Sequence, residues 1–480
     1  MLAPRWTRAH LALLVGVPIV AAALLLTATH RWGLGVSYDS VVYVQASHSL
    51  SSIPLPQPRD SGGEALYWWA PAYPLVLRVF GSSYGGARFL SCLLLIAGTL
   101  LVAAVVWRSA GRTAAVIAVM LFAFSPSVFD AHLNLLAEPL FLVLAVAALG
   151  LVAEGRATLA GLVSGAAVLT RYAGLPLILV GALFLRGRQR LVFLAISIAI
   201  YAAWLIRNHF AAGQTTGREL RWHPQGWDIV VVFLRALKQL VLSPGNLPSL
   251  HVAHIGLFVQ IGVAAAILAA LVRIPRQKPP RLVLVGLAFS GLYCLLLMVT
   301  VALFDAQTPV DQRLLVPLSL PLCFVLGWLL RNQPLLAAIP IAAFFIGTAQ
   351  EVRTVTLDGI DYSGRTWSAA KVDRHSLPPV PLYSNWPAAI AYFTGRSPMR
   401  LPVAIDPHTL APNTEYHQEM QKLAEDVHAG QAALVVLDDS FLEIPKSGPA
   451  ISDLPAFNGE CRPLTSVVDL CVAPSERIRR

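Results

Sequence analysis

Thr170-Arg171-Tyr172-Ala173-Gly174-Leu175-Pro176 interrupts an otherwise mostly apolar stretch, residues 157–185, and its reading sets the topology of the whole chain. Taken as one long crossing, the stretch would carry Arg186, Arg188 and Arg190 to the outer face, against the bias that keeps basic loop residues in the cytoplasm. Taken as two short helices meeting at Arg171, it keeps those arginines inside, and this is the reading adopted. Each helix is then shorter than the usual minimum of about 17 residues. Their Gly and Ala content nevertheless suits helices packed among neighbours rather than facing lipid.

Composition agrees with a membrane setting. The chain is 56% hydrophobic and 13% charged, against about 25% charged residues in soluble domains. Residues 351–480 hold 16 acidic and 12 basic side chains, which leaves 10 acidic and 24 basic to residues 1–350. The basic excess therefore belongs to the loops of the apolar part. It fits apposition to anionic lipid and removes the nucleic-acid reading of a high isoelectric point.

Outward from the interruption, the crossings follow from apolar runs and basic turns. Arg5 and Arg8 precede the first run, 11–29, and place the N-terminus in the cytoplasm; a cleaved signal peptide is the alternative, but no convincing small-x-small site follows. Residues 31–86 form a first outer loop, whose aromatic run Tyr67-Trp68-Trp69-Ala70-Pro71-Ala72-Tyr73-Pro74 suits a segment lying in the headgroup layer. Further runs occupy 87–107, 113–129, a stretch from Glu138 to Arg156, 191–206, 255–272, 282–303, 314–330 and 334–349. With the two short helices this gives about 11 crossings.

The expected architecture is thus an all-α polytopic domain over 1–349 and a small α/β domain over 350–480, outside the cytoplasm. The strand signal in the latter is Ala433-Leu434-Val435-Val436-Leu437. Cys92, Cys294 and Cys323 lie in apolar runs as small core residues. Cys461 and Cys471 can form a local disulfide if that end faces an oxidising compartment.

Under this topology Glu154 alone, among the acidic residues of 1–350, faces inward. The others, Asp39, Asp60, Glu64, Asp130, Glu138, Glu219, Asp228, Asp305 and Asp311, fall at or beyond the outer face. Asp39 stands in Ser37-Tyr38-Asp39-Ser40-Val41-Val42-Tyr43, between two tyrosines and before an apolar pattern. A carboxylate held against packed surface is suited to general-base work, whereas an ordinary helix-end residue is the alternative. Glu138 opens a run beside Pro139, where a cap is equally ordinary. Arg171, Arg207 and Arg313 sit at outer span ends, where the cytoplasmic bias disfavours arginine. Interfacial snorkelling explains any one of them singly, while several together suit a phosphate. His251 and His254 have the spacing of a metal pair but no carboxylate beside them. The chain has no Walker loop, no GxGxxG before a helix and no CxxC, which argues against nucleotide-driven and redox chemistry.

The order of Asp39, Trp69-Ala70-Pro71-Ala72-Tyr73-Pro74, Ala137-Glu138-Pro139-Leu140-Phe141, Leu169-Thr170-Arg171-Tyr172, Trp204 through Asn208, and Gln312-Arg313-Leu314-Leu315-Val316-Pro317 resembles GT-C membrane glycosyltransferases. The likeness is to the branch of protein O-mannosyltransferases and the lipid A aminoarabinose transferase. Leu382-Tyr383-Ser384-Asn385-Trp386-Pro387 and Tyr392-Phe393-Thr394-Gly395-Arg396 also look like bacterial members of that branch.

The resemblance implies a cell-membrane enzyme that moves a sugar from a polyprenyl-phosphate donor to a lipid, glycan or protein acceptor on the outer side. Asp39 and Glu138 are its expected catalytic carboxylates. Arg171, Tyr172, Arg207, Arg313, Glu64 and Tyr73 are its expected donor-phosphate and substrate residues. No cofactor is fixed by the motifs, and a divalent metal is left open. The family's protein O-mannosyltransferases commonly carry Asp-Glu where this chain has Asp39-Ser40, so the second carboxylate and the acceptor stay open. A transporter or lipid flippase is the competing class; it predicts paired repeats and ionisable residues at mid-membrane depth. A non-catalytic scaffold displaying the tail is a third.

Overall fold

The computed structural model describes residues 8–50, 69–213, 215, 222, 224–242, 278–305, 308, 310–405, 412–438 and 461–472. In chain order its helices are α1 (Arg8–Ala28), α2 (Tyr38–Ser49), α3 (Ala72–Val79), α4 (Tyr84–Ala110), α5 (Arg112–Ala123), α6 (Pro126–Leu133), α7 (Glu138–Ala153), α8 (Ala157–Val168), α9 (Leu175–Phe184), α10 (Gly187–Ala212), α11 (Asp228–Leu242) and α12 (Arg281–Leu303). The apolar part closes with α13 (Gln312–Leu330) and α14 (Pro334–Asp358).

Among the described residues, α4, α10, α12, α13 and α14 are long and apolar enough to cross a membrane, and α5 with α6 makes a sixth such span if the pair is counted as one. The protein is an integral membrane protein. The apolar helices α1, α7, α8 and α9 are shorter. The expected crossing at 255–272, with His251, His254 and Glu64, lies outside the described residues.

Two local features differ from a plain run of straight spans. The stretch expected as a single crossing at 113–129 is bent by 50° between α5 and α6. Pro126 is the cause: it has no N–H to continue the ladder and drives Ser125 into an extended conformation (φ −67°, ψ 121°). The last apolar helix continues to Asp358, more than two turns past residue 349.

At the stretch read first, α8 ends at Val168 and α9 starts at Leu175, with Arg171 extended between them (φ −150°, ψ 130°). Small residues let the neighbouring helices close on this break. A Cβ on Gly181 would lie 2.1 Å from the Phe193 ring, so α10 reaches α9 only because that position is glycine.

Beyond the bundle a five-stranded sheet forms from β1 (Leu382–Ser384), β2 (Met399–Arg400), β3 (Ala433–Leu437), β4 (Cys461–Pro463) and β5 (Val468–Cys471), in the order β2-β1-β3-β5-β4. β1 runs parallel to β2 and β3, while β5 pairs antiparallel with both β3 and β4. All of β3 is buried, as its unbroken apolar sequence requires of a strand covered on both faces. Leu434 and Val436 pack with Met420 and Leu423 of α16 (Tyr416–His428), and Val435 and Leu437 with Ile390 of α15 (Pro387–Thr394). Cys461 and Cys471 are a cross-strand pair joined by a disulfide.

The hydrophobic core around β3 does not stop at the sheet. Val36 and Val41, on either side of Asp39, belong to it together with Tyr362, Trp367 and Ile390. The segment before α2 is held from two directions. The Gly35 amide donates to Leu133 and the Gly35 carbonyl accepts from Leu135, each at 2.9 Å. From the other side the Tyr362 amide donates to the Val36 carbonyl at 3.0 Å, and the Ser363 hydroxyl to the Leu34 carbonyl at 2.8 Å. A residue larger than glycine does not fit at position 35, where a Cβ would lie 2.3 Å from Asn134 Oδ1 and 2.8 Å from the Ile360 side chain.

Candidate active site

Asp39 is the second residue of α2. Ser37 and Ser40 close the helix start as a capping box, the Ser37 amide donating to Ser40 Oγ at 3.0 Å. The cap thus falls to Ser37, and the Asp39 carboxylate is used elsewhere. Its Oδ1 accepts from Trp69 Nε1 at 3.2 Å, and its Oδ2 accepts from Arg313 Nη2 at 2.6 Å.

Arg313 lies in the first turn of α13, which is fixed by Asp311: the aspartate accepts from the Leu314 amide at 2.9 Å. The guanidinium spans two carboxylates, because its Nε also donates to Glu138 Oε1 at 2.5 Å. The same Oε1 is ion-paired with Arg171 Nη1. Four charges from four separate stretches of chain therefore form one continuous chain, Asp39, Arg313, Glu138 and Arg171, with no net charge.

The cluster is graded from dry to wet. Glu138 is 0% exposed in its side chain and Arg171 16%, whereas Asp39 is 25% and Arg313 34% exposed. Burying two ions is tolerable only when each finds a partner, and Glu138 with Arg171 meets that condition. Asp39 and Arg313 form the more exposed end of the cluster.

Tyrosines wall the cluster. Tyr43 and Tyr73 are buried with their rings edge to face at 5.1 Å. Burial first, and then the charges of Asp39 and Glu138, push the Tyr43 phenol far above its ordinary range, and burial followed by the Glu138 charge does the same to Tyr73. Both stay protonated and can only be hydrogen-bond partners, never bases, near neutrality. Tyr293, on α12, donates its hydroxyl to the Leu314 carbonyl at 2.8 Å and so braces the turn carrying Arg313.

Of the residues expected from sequence, Asp39, Glu138, Arg171 and Arg313 are brought together. Tyr172 and Arg207 build an adjacent group: Trp204 Nε1 donates to the Tyr172 hydroxyl at 2.9 Å, and the Arg207 guanidinium lies over the Trp204 ring at 4.9 Å while donating to Asn208. Trp69 and Tyr293 escaped sequence reading as site residues. Trp69 stood inside the aromatic-Pro run; Tyr293 carried only the weaker signal of a polar ring within an apolar helix. Among the described residues no group of three or more His, Cys, Asp and Glu is placed to hold a metal ion.

No protein-family model matches the sequence, and no curated protein matches it either. Solved structures do. The fold is that of the GT-C membrane glycosyltransferases. One match is ArnT from Cupriavidus metallidurans bound to undecaprenyl phosphate, with a TM-score of 0.61 and 14% identity over 96% of this chain and 98% of that one. The same protein in the apo state gives 0.62 and 15%, covering 96% and 97%. The Archaeoglobus fulgidus oligosaccharyltransferase in complex with Zn and sulfate gives 0.52 and 14%, covering 88% of this chain and 68% of that one.

Proposed function

We propose that this protein transfers a sugar from a polyprenyl-phosphate donor to an acceptor hydroxyl at the outer face of the cell membrane, with inversion at the anomeric carbon. The observation that carries the reading is the ion-paired chain of Asp39, Arg313, Glu138 and Arg171, buried at the Glu138 end and partly exposed at the Asp39 end. A scaffold has no use for two arginines gathered at such a point. A transporter would place its ionisable groups at mid-membrane depth.

Asp39 is the base in this reading. As the acceptor oxygen bonds to the anomeric carbon, the hydroxyl proton passes to the Asp39 carboxylate and the carbon–phosphate-oxygen bond breaks, its electron pair staying on the phosphate. That leaving group needs cations rather than a proton, and Arg313 and Arg171 supply them. Glu138, fully buried, acts as the counter-ion that orients both guanidinia, and this is its role in preference to a second proton carrier. Tyr172, Tyr73 and Arg207 are assigned to the substrate side, as is Glu64, which lies outside the described residues and is assigned from sequence alone.

The donor class is supported by the undecaprenyl phosphate bound to the similarly folded ArnT. Lipid, glycan and protein acceptors all fit the chemistry. The reading includes about 11 crossings, a cytoplasmic N-terminus, and the domain of residues 350–480 on the outer side. Transfer from a radiolabelled undecaprenyl-phosphate sugar, followed in membranes and with purified protein, tests it. Wild type consumes the donor, and Asp39→Asn, folded and inserted, does not. Full donor consumption by that variant removes Asp39 from the mechanism.

A further inference from the structure

Both oxygens of Asp39 are already engaged, Oδ1 by Trp69 and Oδ2 by Arg313. A carboxylate so occupied must let go of one partner before it can draw a proton from an acceptor hydroxyl. The two partners are not equivalent. Trp69 is a neutral donor at 3.2 Å, fixed by its ring contact with Tyr38 at 5.9 Å. Arg313 is a cation at the wet end of the cluster, and the donor's monoanionic phosphodiester offers its guanidinium edge the same kind of charge-assisted hydrogen bond as a carboxylate does, so the two can exchange.

The anchoring of Arg313 fits a side chain that swings at one end only. Its Nε is held by Glu138 Oε1, inside the dry end of the cluster, while Nη2 alone reaches Asp39. Glu138 Oε2 is buried and, among the described residues, has no hydrogen-bond partner, so this carboxylate has capacity to keep the arginine when Asp39 releases it. Arg171, on the other side of Glu138, holds the carboxylate in place meanwhile.

Building on the reading above, we propose that Arg313 is an exchangeable counter-ion that holds Asp39 until the donor's phosphate displaces it, so that the base is released only in the donor-bound enzyme. Phosphate oxygen replaces Asp39 Oδ2 on Arg313 Nη2; the freed carboxylate takes the acceptor's proton as the glycosidic bond forms; the phosphate leaves with the bonding pair. Asp39 then returns its proton to water and re-forms the pair with Arg313 as polyprenyl phosphate departs. Donor must bind before the acceptor can react, and no competent base faces the acceptor in the donor-free enzyme.

Binding decides the exchange, and transfer by the same variants decides the base. Asp39 and the phosphate compete for one guanidinium edge, so deleting the carboxylate should tighten binding of the phosphate. Dissociation constants for undecaprenyl phosphate are measured on detergent-purified full-length wild type, Asp39→Asn and Asp39→Ala, each taken from the monodisperse fraction. The pair lost is partly exposed, and about a two- to five-fold tightening is expected in both variants. Unchanged or weaker binding in the variants overturns the exchange. If transfer is lost while affinity is unchanged, the exchange fails and Asp39 as base survives. If transfer persists, the base assignment itself fails whatever the affinity does.

Discussion

Glu138→Gln is the sharpest probe of the cluster, because it keeps shape and removes one charge at its driest point. The Glu138 carboxylate is 0% exposed, and a single oxygen of it accepts from Arg313 and is ion-paired with Arg171. With glutamine there, Arg171, 16% exposed, faces Arg313 without the charge that made its burial tolerable. Removing one partner of a buried pair costs about 3–5 kcal/mol. Arg313 keeps Asp39 and is 34% exposed, so the penalty falls mainly on Arg171 and belongs at the lower end, about 3 kcal/mol. The loss should appear as a lower temperature of half-inactivation in detergent, together with weaker undecaprenyl phosphate binding as the guanidinia lose their orientation. Adding Arg171→Met in the same background should recover part of the stability while leaving binding poor. In the double-mutant cycle this appears as a coupling of about 0.5–3 kcal/mol. A Glu138→Gln protein that melts and binds like wild type would refute the reasoning, since it would mean that no charge at this point holds the arginines.

Three further outcomes follow from the same structure. Gly35→Ala should lower the turnover number with little change in donor affinity: the added Cβ would lie 2.3 Å from Asn134 Oδ1, so the segment leading to Asp39 must move, and a shift of about 1 Å costs about 100-fold. Radiolabel transfer and undecaprenyl phosphate binding, measured side by side, check it. Arg313→Ala should weaken undecaprenyl phosphate binding more than it alters acceptor preference, as read by titration against a panel of acceptors. Cys461→Ser, which opens a disulfide of sequence separation 10, should cost about 2–4 kcal/mol locally and speed proteolysis of the sheet region. Limited proteolysis followed by mass spectrometry reads it.

Much of this molecule was legible from residue order alone. Long apolar runs must become helices in lipid, because no other arrangement satisfies their backbone there, so α4, α10, α12, α13 and α14 could be read from their composition. The break at Arg171 was legible on a different ground, since one unbroken crossing would have put Arg186, Arg188 and Arg190 on the side where basic loop residues are disfavoured. The strand Ala433–Leu437 announced itself by its unbroken apolar run. The bend at Ser125-Pro126 carried a signal too, but hydropathy averages over it, and the stretch read as one straight span.

Sequence also named the charged residues at span ends, yet it held Arg171, Arg207 and Arg313 as equals. Tertiary packing separated them: Arg171 and Arg313 converge on Glu138, while Arg207 lies over Trp204. The joining of Val36 and Val41 to the sheet's core, which ties Asp39 to residues more than 300 positions away, was likewise invisible in the chain's order. Hydropathy is a property each segment carries by itself, so the sequence determined where the helices are. An ion pair belongs to two distant segments at once, and only the fold decides which of them come within reach.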